Sequence, residues 1–447
     1  MSALLERLFN VRREEAVPVL LAVLFFFCVL TALMVLRPAR EALGMQRGIE
    51  TVRWLFIGTA LITLLVNPVF GWLVSRLRRL QFIAATYLFF AASLIGFHLV
   101  LVLAPRAIGV TTGQVFYVWF SVFNLFATMV FWALMADRFS LEQSKRFFGL
   151  ISVGGTCGAI FGPTLASLLA RPLGTPALLL VSAGFLLLAL AFAWAISRIR
   201  TTAHGEMPGM PQPQERERIG GSAWEGLRAV FRSRYLLGIA AYVVILAIMA
   251  TFIYFTRLQM VAALGEDMDL RTSVFARIDA ITQVATLVLQ ALVAGRLMKR
   301  LGVAMTLALL PLTAALGVFG LAVVGSLAAL VAFEATFRAV QRAFMRPARE
   351  TLFTVLSRED KYKSKAFIDT FVYRGGDVAG AQLEGLLGRL GMGLAALAAV
   401  AVPLALLWAA LGVWLGRAQQ RIASSAGART DDADSYSATP IVQRSTR

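Results

Sequence analysis

The chain has 447 residues, of which 59% are hydrophobic and only 15% are charged. Soluble domains are about half apolar and about a quarter charged, so this composition excludes an ordinary soluble domain and indicates a lipid-facing surface. The basic residues behind the net charge of +18 fall mainly between apolar segments, which favours membrane orientation over nucleic acid binding. The two cysteines lie far apart and form no cluster with histidine, so neither a metal site nor a cofactor is predicted.

Apolar runs succeed one another along the whole chain, and a membrane-crossing helix needs about 20 predominantly apolar residues. We number these runs helices 1 to 12; they cover residues 16–43, 54–75, 80–104, 114–136, 148–170, 176–197, 235–256, 274–295, 302–322, 328–356, 365–388 and 393–416. The sequence therefore predicts an all-α polytopic membrane protein with about 12 transmembrane helices. Helix 1 is longer than the apolar core of a signal peptide, so we expect it to be retained.

A polar stretch rich in proline and glycine divides the helices into six plus six. We predict an N-terminal bundle at 1–197, a cytoplasmic linker at 198–234, a C-terminal bundle at 235–418 and a disordered cytoplasmic tail at 419–447. With the N-terminus inside, inner segments hold 28 Lys and Arg residues and outer loops hold 9, which predicts that both termini are cytoplasmic. No plastid-type transit peptide precedes helix 1, so we expect a multi-pass protein of a bacterial inner membrane.

Two six-helix halves joined by a central loop resemble the transporters of the major facilitator superfamily, which bind substrate between their halves near the membrane midplane. The segment Gly71-Trp-Leu-Val-Ser-Arg-Leu-Arg-Arg79 resembles the loop that follows helix 2 in that superfamily, with Ser75 in place of its aspartate. The segment Gly295-Arg-Leu-Met-Lys-Arg300 after helix 8 is a weaker counterpart. We expect a monomeric transporter in the lipid bilayer.

An internal repeat supports this architecture. Arg37-Pro-Ala-Arg-Glu41 near the end of helix 1 recurs as Arg346-Pro-Ala-Arg-Glu350 in helix 10. Helices 1, 4, 7 and 10 are equivalent in a fold built of three-helix units. Helix 4 also ends on an arginine, Arg138, and helix 7 on Arg257, so the equivalent helices all carry arginine near one end.

Helix 10 holds the clearest set of ionisable residues inside an apolar run, where such residues are costly and mark a site by default. Steps of four, four, four and three place five of them on one helical face: Glu334, Arg338, Arg342, Arg346 and Arg349. With Glu350 the helix has four arginines and two acids, so we predict that the stripe lines a wet cavity and binds an anion. The alternative is a structural ladder of salt bridges with helix 11.

Helices 11 and 1 supply the other candidate substrate-binding residues, which are Asp369, Tyr373, Arg374 and Asp377 in helix 11 and Arg37, Arg40 and Glu41 in helix 1. The helix 11 carboxylates are predicted to pair with helix 10 arginines, with proton transfer as the alternative. For the helix 1 residues there are two equally favoured interpretations: they line the cavity, or they lie at the outer interface of the membrane. Gly376 and Gly380 are predicted to permit close helix packing.

A second group of charged residues lies at the cytoplasmic face and is predicted to form gate or loop contacts. It comprises Asp137, Arg138, Glu142, Lys145, Arg146, Lys363 and Lys365. In helix 8, Asp279 is predicted to pair with the nearby Arg277. The sequence has no soluble catalytic pattern and no phosphate-binding Gly-rich loop, so it predicts neither an enzyme nor an ATP-driven pump.

Three stretches resemble the ATP/ADP translocases, the nucleotide exchangers of plastids and intracellular bacteria. They are Phe131-Trp132 with Glu142-Gln-Ser-Lys145-Arg146-Phe147, Pro347-Ala-Arg349-Glu350 with Lys363-Ser-Lys365-Ala-Phe-Ile-Asp369, and Arg37 with Arg40-Glu41. The resemblance implies a twelve-helix carrier that exchanges anionic nucleotides such as ATP and ADP. The chain departs from the family at two of its lysines, where Phe56 and Asp377 stand.

Three functions follow from these observations. The first is a secondary transporter of an anionic metabolite, with nucleotide exchange through an arginine-lined cavity as its specific form. The second is a proton-coupled exporter of an organic acid, metal chelator or drug, in which one of the carboxylates Glu334, Asp369 or Asp377 titrates. The third is a membrane sensor or scaffold that transports nothing, which the many costly membrane charges disfavour.

Overall fold

The computed structural model describes residues 13–76, 79–199, 223–291, 295–391 and 393–437, and their regular structure is helical throughout. We number the long helices α1 to α12 in chain order. They are α1 (Arg13–Gly44), α2 (Ile49–Arg76), α3 (Arg79–Leu103), α4 (Arg106–Arg138), α5 (Leu141–Leu173), α6 (Ala177–Arg198), α7 (Arg234–Ala262), α8 (Met268–Leu289), α9 (Gly295–Val324), α10 (327–352), α11 (358–389) and α12 (Leu394–Ser437). A short linker helix, Ala223–Arg232, precedes α7.

Two helices, α10 and α11, contain π-helical turns. α10 consists of Leu327–Val340, the π turn Gln341–Met345 and Arg346–Leu352. α11 consists of Arg358–Phe367, the π turn Ile368–Val372 and Tyr373–Arg389. A π turn inserts an extra residue into a helix and is found frequently at functional sites. Both turns fall among the charged residues that the sequence singles out.

In the part of the chain that the structure describes, ten helices are long and apolar enough to cross a membrane. These are α1 to α9 and α12. α10 and α11 have similar lengths but carry the charged residues discussed below. The predicted all-α polytopic membrane fold is confirmed.

The C-terminal end of the chain differs from the prediction. α12 continues as helix to Ser437, whereas the sequence predicts disorder from 419. Residues just beyond Gly416 include Ala, Arg and Gln, which favour helix, and they extend a helix that is already nucleated. The proline-rich heart of the predicted linker, 201–222, lies outside the described residues.

Each half of the chain has its own apolar core. The first core is formed by α1, α3, α4, α5 and α6, with Phe25, Phe123 and Phe131 fully buried in it. The second is formed mainly by α7, α9, α10 and α12, and Trp408 and Tyr242 are fully buried in it. The two halves are therefore separately packed helical bundles.

Glycines allow two equivalent helix pairs to approach closely. On α5, the glycines at 154 and 158 lie against the backbone carbonyls of Val23 and Phe27 in α1. On α11, a Cβ at Gly376 would lie 2.7 Å from the Ala247 Cβ of α7, and one at Gly380 would lie 3.0 Å from the Ile248 Cα. The predicted packing role of Gly376 and Gly380 therefore matches the structure.

The contact of α11 with α7 can be tested with two adjacent glycines. We expect Gly376→Val to lower the free energy of unfolding by about 1–3 kcal/mol, because the added atoms would overlap Ala247. Gly375→Val is the matched control, since a Cβ there meets nothing within 4 Å. Thermal unfolding of the purified protein in detergent measures both; equal effects of the two substitutions would contradict this packing.

The halves meet at one side of the bundle. We call the side at which α1 begins and α12 ends the terminal face, and the opposite side the distal face. One apolar cluster near the distal face joins Ala39 of α1 and Ala166 of α5 to Ala276 of α8. A second joins Val52 of α2 to Phe255 of α7. The described contacts between the halves lie towards the distal face, so the protein is closed there.

Candidate functional site

The guanidinium of Arg257, near the end of α7, is the centre of a buried charged network. It is fully buried, and its Nη1 donates to Asp279 Oδ1 of α8 at 3.0 Å and to Glu334 Oε1 of α10 at 3.3 Å. Its Nη2 lies 3.8 Å from Glu41 Oε1 of α1. We call these four residues the distal network. Buried charges are tolerated only when they are paired and hydrogen-bonded, so the network holds four helices in one arrangement.

Aromatic residues of both halves extend the distal network. The Tyr254 hydroxyl of α7 donates to Glu41 Oε2, and it lies 2.8 Å from the Tyr117 hydroxyl of α4. Arg40 donates to Glu41 at 3.0 Å and stacks over the Tyr117 ring, with its guanidinium carbon 3.6 Å from the ring centroid. The network therefore ties α1 and α4 of the first half to α7 of the second.

Arg37 and Arg338 lie at the edge of the distal network. Arg37 Nε is 3.5 Å from Asp279 Oδ2, and Arg338 Nη2 is 2.7 Å from Glu334 Oε1. Both side chains remain about one fifth exposed, at 19% and 21%. These two arginines therefore connect the buried charges to the open space between the halves.

A separate ion pair also closes the distal face. Arg53 of α2 donates from Nη2 and Nε to Glu384 Oε2 of α11, at 2.7 and 3.2 Å. Gln259 of α7 donates to the other oxygen of Glu384 at 2.5 Å. Both members of this pair are buried, so it is a second polar connection between the halves.

A cavity of about 400 Å³ lies between the halves, below these distal contacts. It is lined by Met34, Arg37, Arg40, Phe56, Thr59, Ala60, Thr63, Phe120, Ser121, Asn124, Leu125, Thr128, Arg374 and Asp377. These residues belong to α1, α2, α4 and α11. Arg37, Arg40, Arg374 and Asp377 are predicted site residues, and the structure brings them together around one cavity.

The π turn of α10 divides the predicted arginine stripe into parts with different surroundings. Glu334 and Arg338 precede the turn and belong to or border the distal network. Arg342, within the turn, donates to Gln283 of α8 and lies in electrostatic range of Arg37. Arg346 follows the turn; it is exposed and has no ion-pair partner among the described residues. The five residues therefore do not form the single uninterrupted face that a regular helix would give.

Comparison of the sequence with known protein families identifies the family of this chain. The family model described as Major Facilitator Superfamily matches residues 19–345. The chain belongs to the major facilitator superfamily. No curated protein sequence matches it. The resemblance to the ATP/ADP translocases within the superfamily stays a prediction.

Solved transporters of the superfamily share the fold. A bacterial homologue of the iron transporter ferroportin, in an inward-facing state, has a TM-score of 0.63 and 12% identity over 90% of this chain and 98% of that one. A bacterial homologue of the human lysosomal transporter Spinster, inward-facing and unoccupied, gives 0.57 and 13% over 91% and 97%. The nucleoside transporter NupG gives 0.54 and 14% over 91% and 99%. At such identities the likeness shows the fold alone.

On the terminal side of α10 and α11, this superfamily member has ion pairs within its second half. Arg349 Nη2 lies 3.0 Å from Asp369 Oδ1, so the predicted pairing of a helix 10 arginine with a helix 11 carboxylate is present here. Lys365 binds Glu350. Asp377 does not pair with α10; its Oδ2 lies 3.2 Å from Nη1 of Arg374 on its own helix.

The described residues of the predicted gating group contact their own half. Arg138 donates to the Ile199 carbonyl at 2.9 Å and to the Ile196 carbonyl, so it caps the end of α6. Arg146 of α5 pairs with Glu15 of α1 at 2.9 Å. Asp137 and Glu142 are exposed. The side chains of Lys145 and Lys363 lie outside the described part of the chain. The same is true of the side chains of 67–80 and 292–299, which include most of the two superfamily loop motifs.

The predicted pair of Asp279 with Arg277 is wrong. Asp279 is 2% exposed and binds Arg257 and Arg37, whereas the Arg277 side chain is exposed. Residues two apart on a helix point to different sides, which explains the error. Sequence reasoning also missed Arg257 as the centre of the network and missed the Arg53–Glu384 pair. Their one sequence signal is a charge near the end of an apolar run.

The Arg53–Glu384 pair predicts how easily the distal face opens. We expect Arg53→Gln to leave Glu384 buried without its cation and to favour opening, because breaking a buried pair costs about 3–5 kcal/mol. The measurement is the rate at which a membrane-impermeant maleimide, added at the distal side, labels Ala60→Cys in a background without native cysteines. The labelling rate should rise at least several-fold.

The control for this experiment is Arg47→Gln. Arg47 is an exposed arginine near the same face, and its side chain hydrogen-bonds only Thr111 and Gln114 among the described residues. Its loss should leave the labelling rate unchanged. If Arg53→Gln behaves like Arg47→Gln, the pair does not keep the distal face closed.

Proposed function

We propose that this protein is a secondary transporter of an anionic metabolite, which binds in the arginine-rich space between the two halves. One observation carries the proposal, namely the excess of arginine around the cavity and the distal network. This region contains seven arginines and only four carboxylates. The arginines are Arg37, Arg40, Arg257, Arg338, Arg342, Arg346 and Arg374, and the carboxylates are Glu41, Asp279, Glu334 and Asp377. An anion would neutralise the surplus.

Arg346 is the arginine best placed to bind that anion. It is exposed, lacks a carboxylate partner among the described residues, and lies in electrostatic range of Arg342 and Tyr373. A bare arginine facing lipid is costly, so its exposure fits a water-filled space. The planar guanidinium forms paired hydrogen bonds with phosphate or carboxylate. Arg37 and Arg342 would complete the anion site from α1 and from the π turn.

The arrangement of contacts fits alternating access. Polar and apolar contacts between the halves lie towards the distal face, while the ion pairs near the terminal face stay within one half. With the termini in the cytoplasm, as the basic loops predict, this conformation is closed to the outside. Transport would then require the distal network and the Arg53–Glu384 pair to separate in the alternate conformation.

Nucleotide exchange is the specific form of transport that we propose. The three stretches that resemble the ATP/ADP translocases support it, and an arginine-rich site suits a substrate with several phosphate charges. Proton-coupled export is the second candidate, because Asp377 lines the cavity and pairs with Arg374. Protonation of that carboxylate would release the arginine and could drive a conformational change.

Uptake into proteoliposomes separates these two candidates. Labelled ATP is offered to vesicles that are loaded with ADP, left empty, or empty with an imposed pH gradient. Nucleotide exchange predicts uptake only with internal ADP. Uptake of an organic anion that follows the pH gradient without internal substrate would favour proton coupling, and absence of both activities in folded protein would refute the proposed function.

A further inference from the structure

The residues that line the cavity differ in charge from one helix to another. Its charged residues all lie on α1 and α11, and they are Arg37, Arg40, Arg374 and Asp377. The helices α2 and α4 supply neutral polar residues, which are Thr59, Thr63, Ser121, Asn124 and Thr128. An anion site alone would not need this neutral polar set.

The neutral polar residues differ in whether they already have hydrogen-bond partners. The Thr63 and Thr128 hydroxyls donate to carbonyls of their own helices, at 2.7 and 2.8 Å. Thr59 is 8% exposed, and its buried hydroxyl oxygen has no partner. The side chains of Ser121 and Asn124 also make no hydrogen bond within the part of the chain that the structure describes. A buried polar group without a partner is destabilising, so the Thr59 hydroxyl favours a ligand that hydrogen-bonds it. Ser121 is part-exposed and Asn124 is exposed, so their side chains are accessible to the same ligand in the cavity.

Two aromatic residues, Phe56 on α2 and Phe120 on α4, also line the cavity. The Phe56 ring is held against Tyr254 and Phe255, with ring centroids 5.2 and 5.5 Å apart. Phe120 of α4 lines the cavity and lies under the guanidinium of Arg40 at 5.6 Å. Aromatic faces pack well against the C–H faces of ring-shaped ligands, whereas polar groups set the orientation of a ligand.

We infer that Thr59, Ser121 and Asn124 form a second subsite, which hydrogen-bonds the neutral, hydroxylated part of the transported anion. This inference rests on the proposed function, since it assigns the uncharged part of the same substrate. The substrate class is a phosphorylated or otherwise anionic molecule with a hydroxylated ring. The cavity of about 400 Å³ is large enough for such a molecule and falls within the usual range of small-ligand sites.

The subsite is tested by binding of two kinds of phosphate to the purified full-length protein. Ribose 5-phosphate and AMP carry hydroxyl groups, whereas inorganic phosphate and methyl phosphate do not carry a hydroxylated ring. We expect Thr59→Val and Asn124→Leu each to weaken binding of the first two about 3- to 10-fold, the effect of one lost hydrogen bond. Binding of inorganic phosphate and methyl phosphate should not change.

Thr164→Val is the matched control, because Thr164 donates in the same way to the Ile160 carbonyl of its own helix, at 2.8 Å, and is not a cavity residue. It should leave binding of all four compounds unchanged. If Thr59→Val and Asn124→Leu weaken all four equally, or none, while binding still requires Arg346, the second subsite is refuted and the anion site stands. If no phosphate compound binds the folded protein, the proposed function fails and this inference fails with it.

Discussion

Replacement of Arg257 by Met should strongly destabilise the protein. The substitution removes the cation that lies between Asp279, Glu334 and Glu41 while leaving those carboxylates buried. Breaking a buried ion pair by removing one partner costs about 3–5 kcal/mol, which is a large fraction of the stability of a typical domain. Thermal or denaturant unfolding in detergent micelles, followed by circular dichroism, measures the loss.

Two further variants show whether that loss comes from unpaired charge. Arg277→Met makes the same chemical change at an exposed position of α8, and we expect an effect within about 0.5 kcal/mol. Asp279→Asn added to Arg257→Met should restore part of the lost stability, because it removes one of three buried carboxylates that would keep only their outer partners Arg37, Arg338 and Arg40. A stability of Arg257→Met equal to that of Arg277→Met would show that the distal network does not hold the halves together.

Replacement of Arg346 by Gln should weaken anion binding the most. A hydrogen bond to a charged group contributes about 1.5–3 kcal/mol, so the affinity for ATP or inorganic phosphate should fall about 10- to 100-fold. Because Arg346 is exposed and has no ion-pair partner among the described residues, the fold should be unaffected. Equilibrium binding to the purified protein gives the affinity, and the unfolding temperature checks the fold.

Arg346→Lys and Arg374→Gln complete this series. Lysine keeps the charge but cannot form paired hydrogen bonds, so its affinity should lie between those of the wild type and Arg346→Gln. Arg374 already pairs with Asp377, and its loss should weaken binding less than loss of Arg346. Equal affinities of wild type and Arg346→Gln would exclude Arg346 from the anion site.

The membrane architecture was predictable because apolar length alone determines it. A helix that crosses a bilayer satisfies its own backbone hydrogen bonds, so each long apolar run has one available structure. The packing role of Gly376 and Gly380 was also predictable, since residues four apart lie on one helix face, but the partner helix α7 was not. The helical extension of α12 to Ser437 was not predictable, because composition alone does not separate a polar helix from a disordered tail.

The residue types of the candidate site were predictable from the sequence, whereas the pairs that its charged residues form were predictable only in part. The spacing of Arg338, Arg342 and Arg346 assumes a regular helix, and the π turn at Gln341–Met345 changes that spacing. The distal network joins Glu41, Arg257 and Glu334 across more than 290 positions of sequence, and no local pattern reports such a contact. The ionisable groups within apolar runs nevertheless indicate that such a network exists, because each of them requires a partner there.

The most direct test of the account is exchange transport by wild-type protein and two arginine variants in the same proteoliposome preparation. Labelled ATP uptake into ADP-loaded vesicles is compared for wild type, Arg346→Gln and Arg228→Gln, the last being an exposed arginine of the linker helix. The account predicts uptake by wild type and Arg228→Gln, and at least a tenfold lower rate for Arg346→Gln at limiting ATP. Equal uptake by all three proteins, or uptake that does not depend on internal ADP, would contradict nucleotide exchange at a site that contains Arg346.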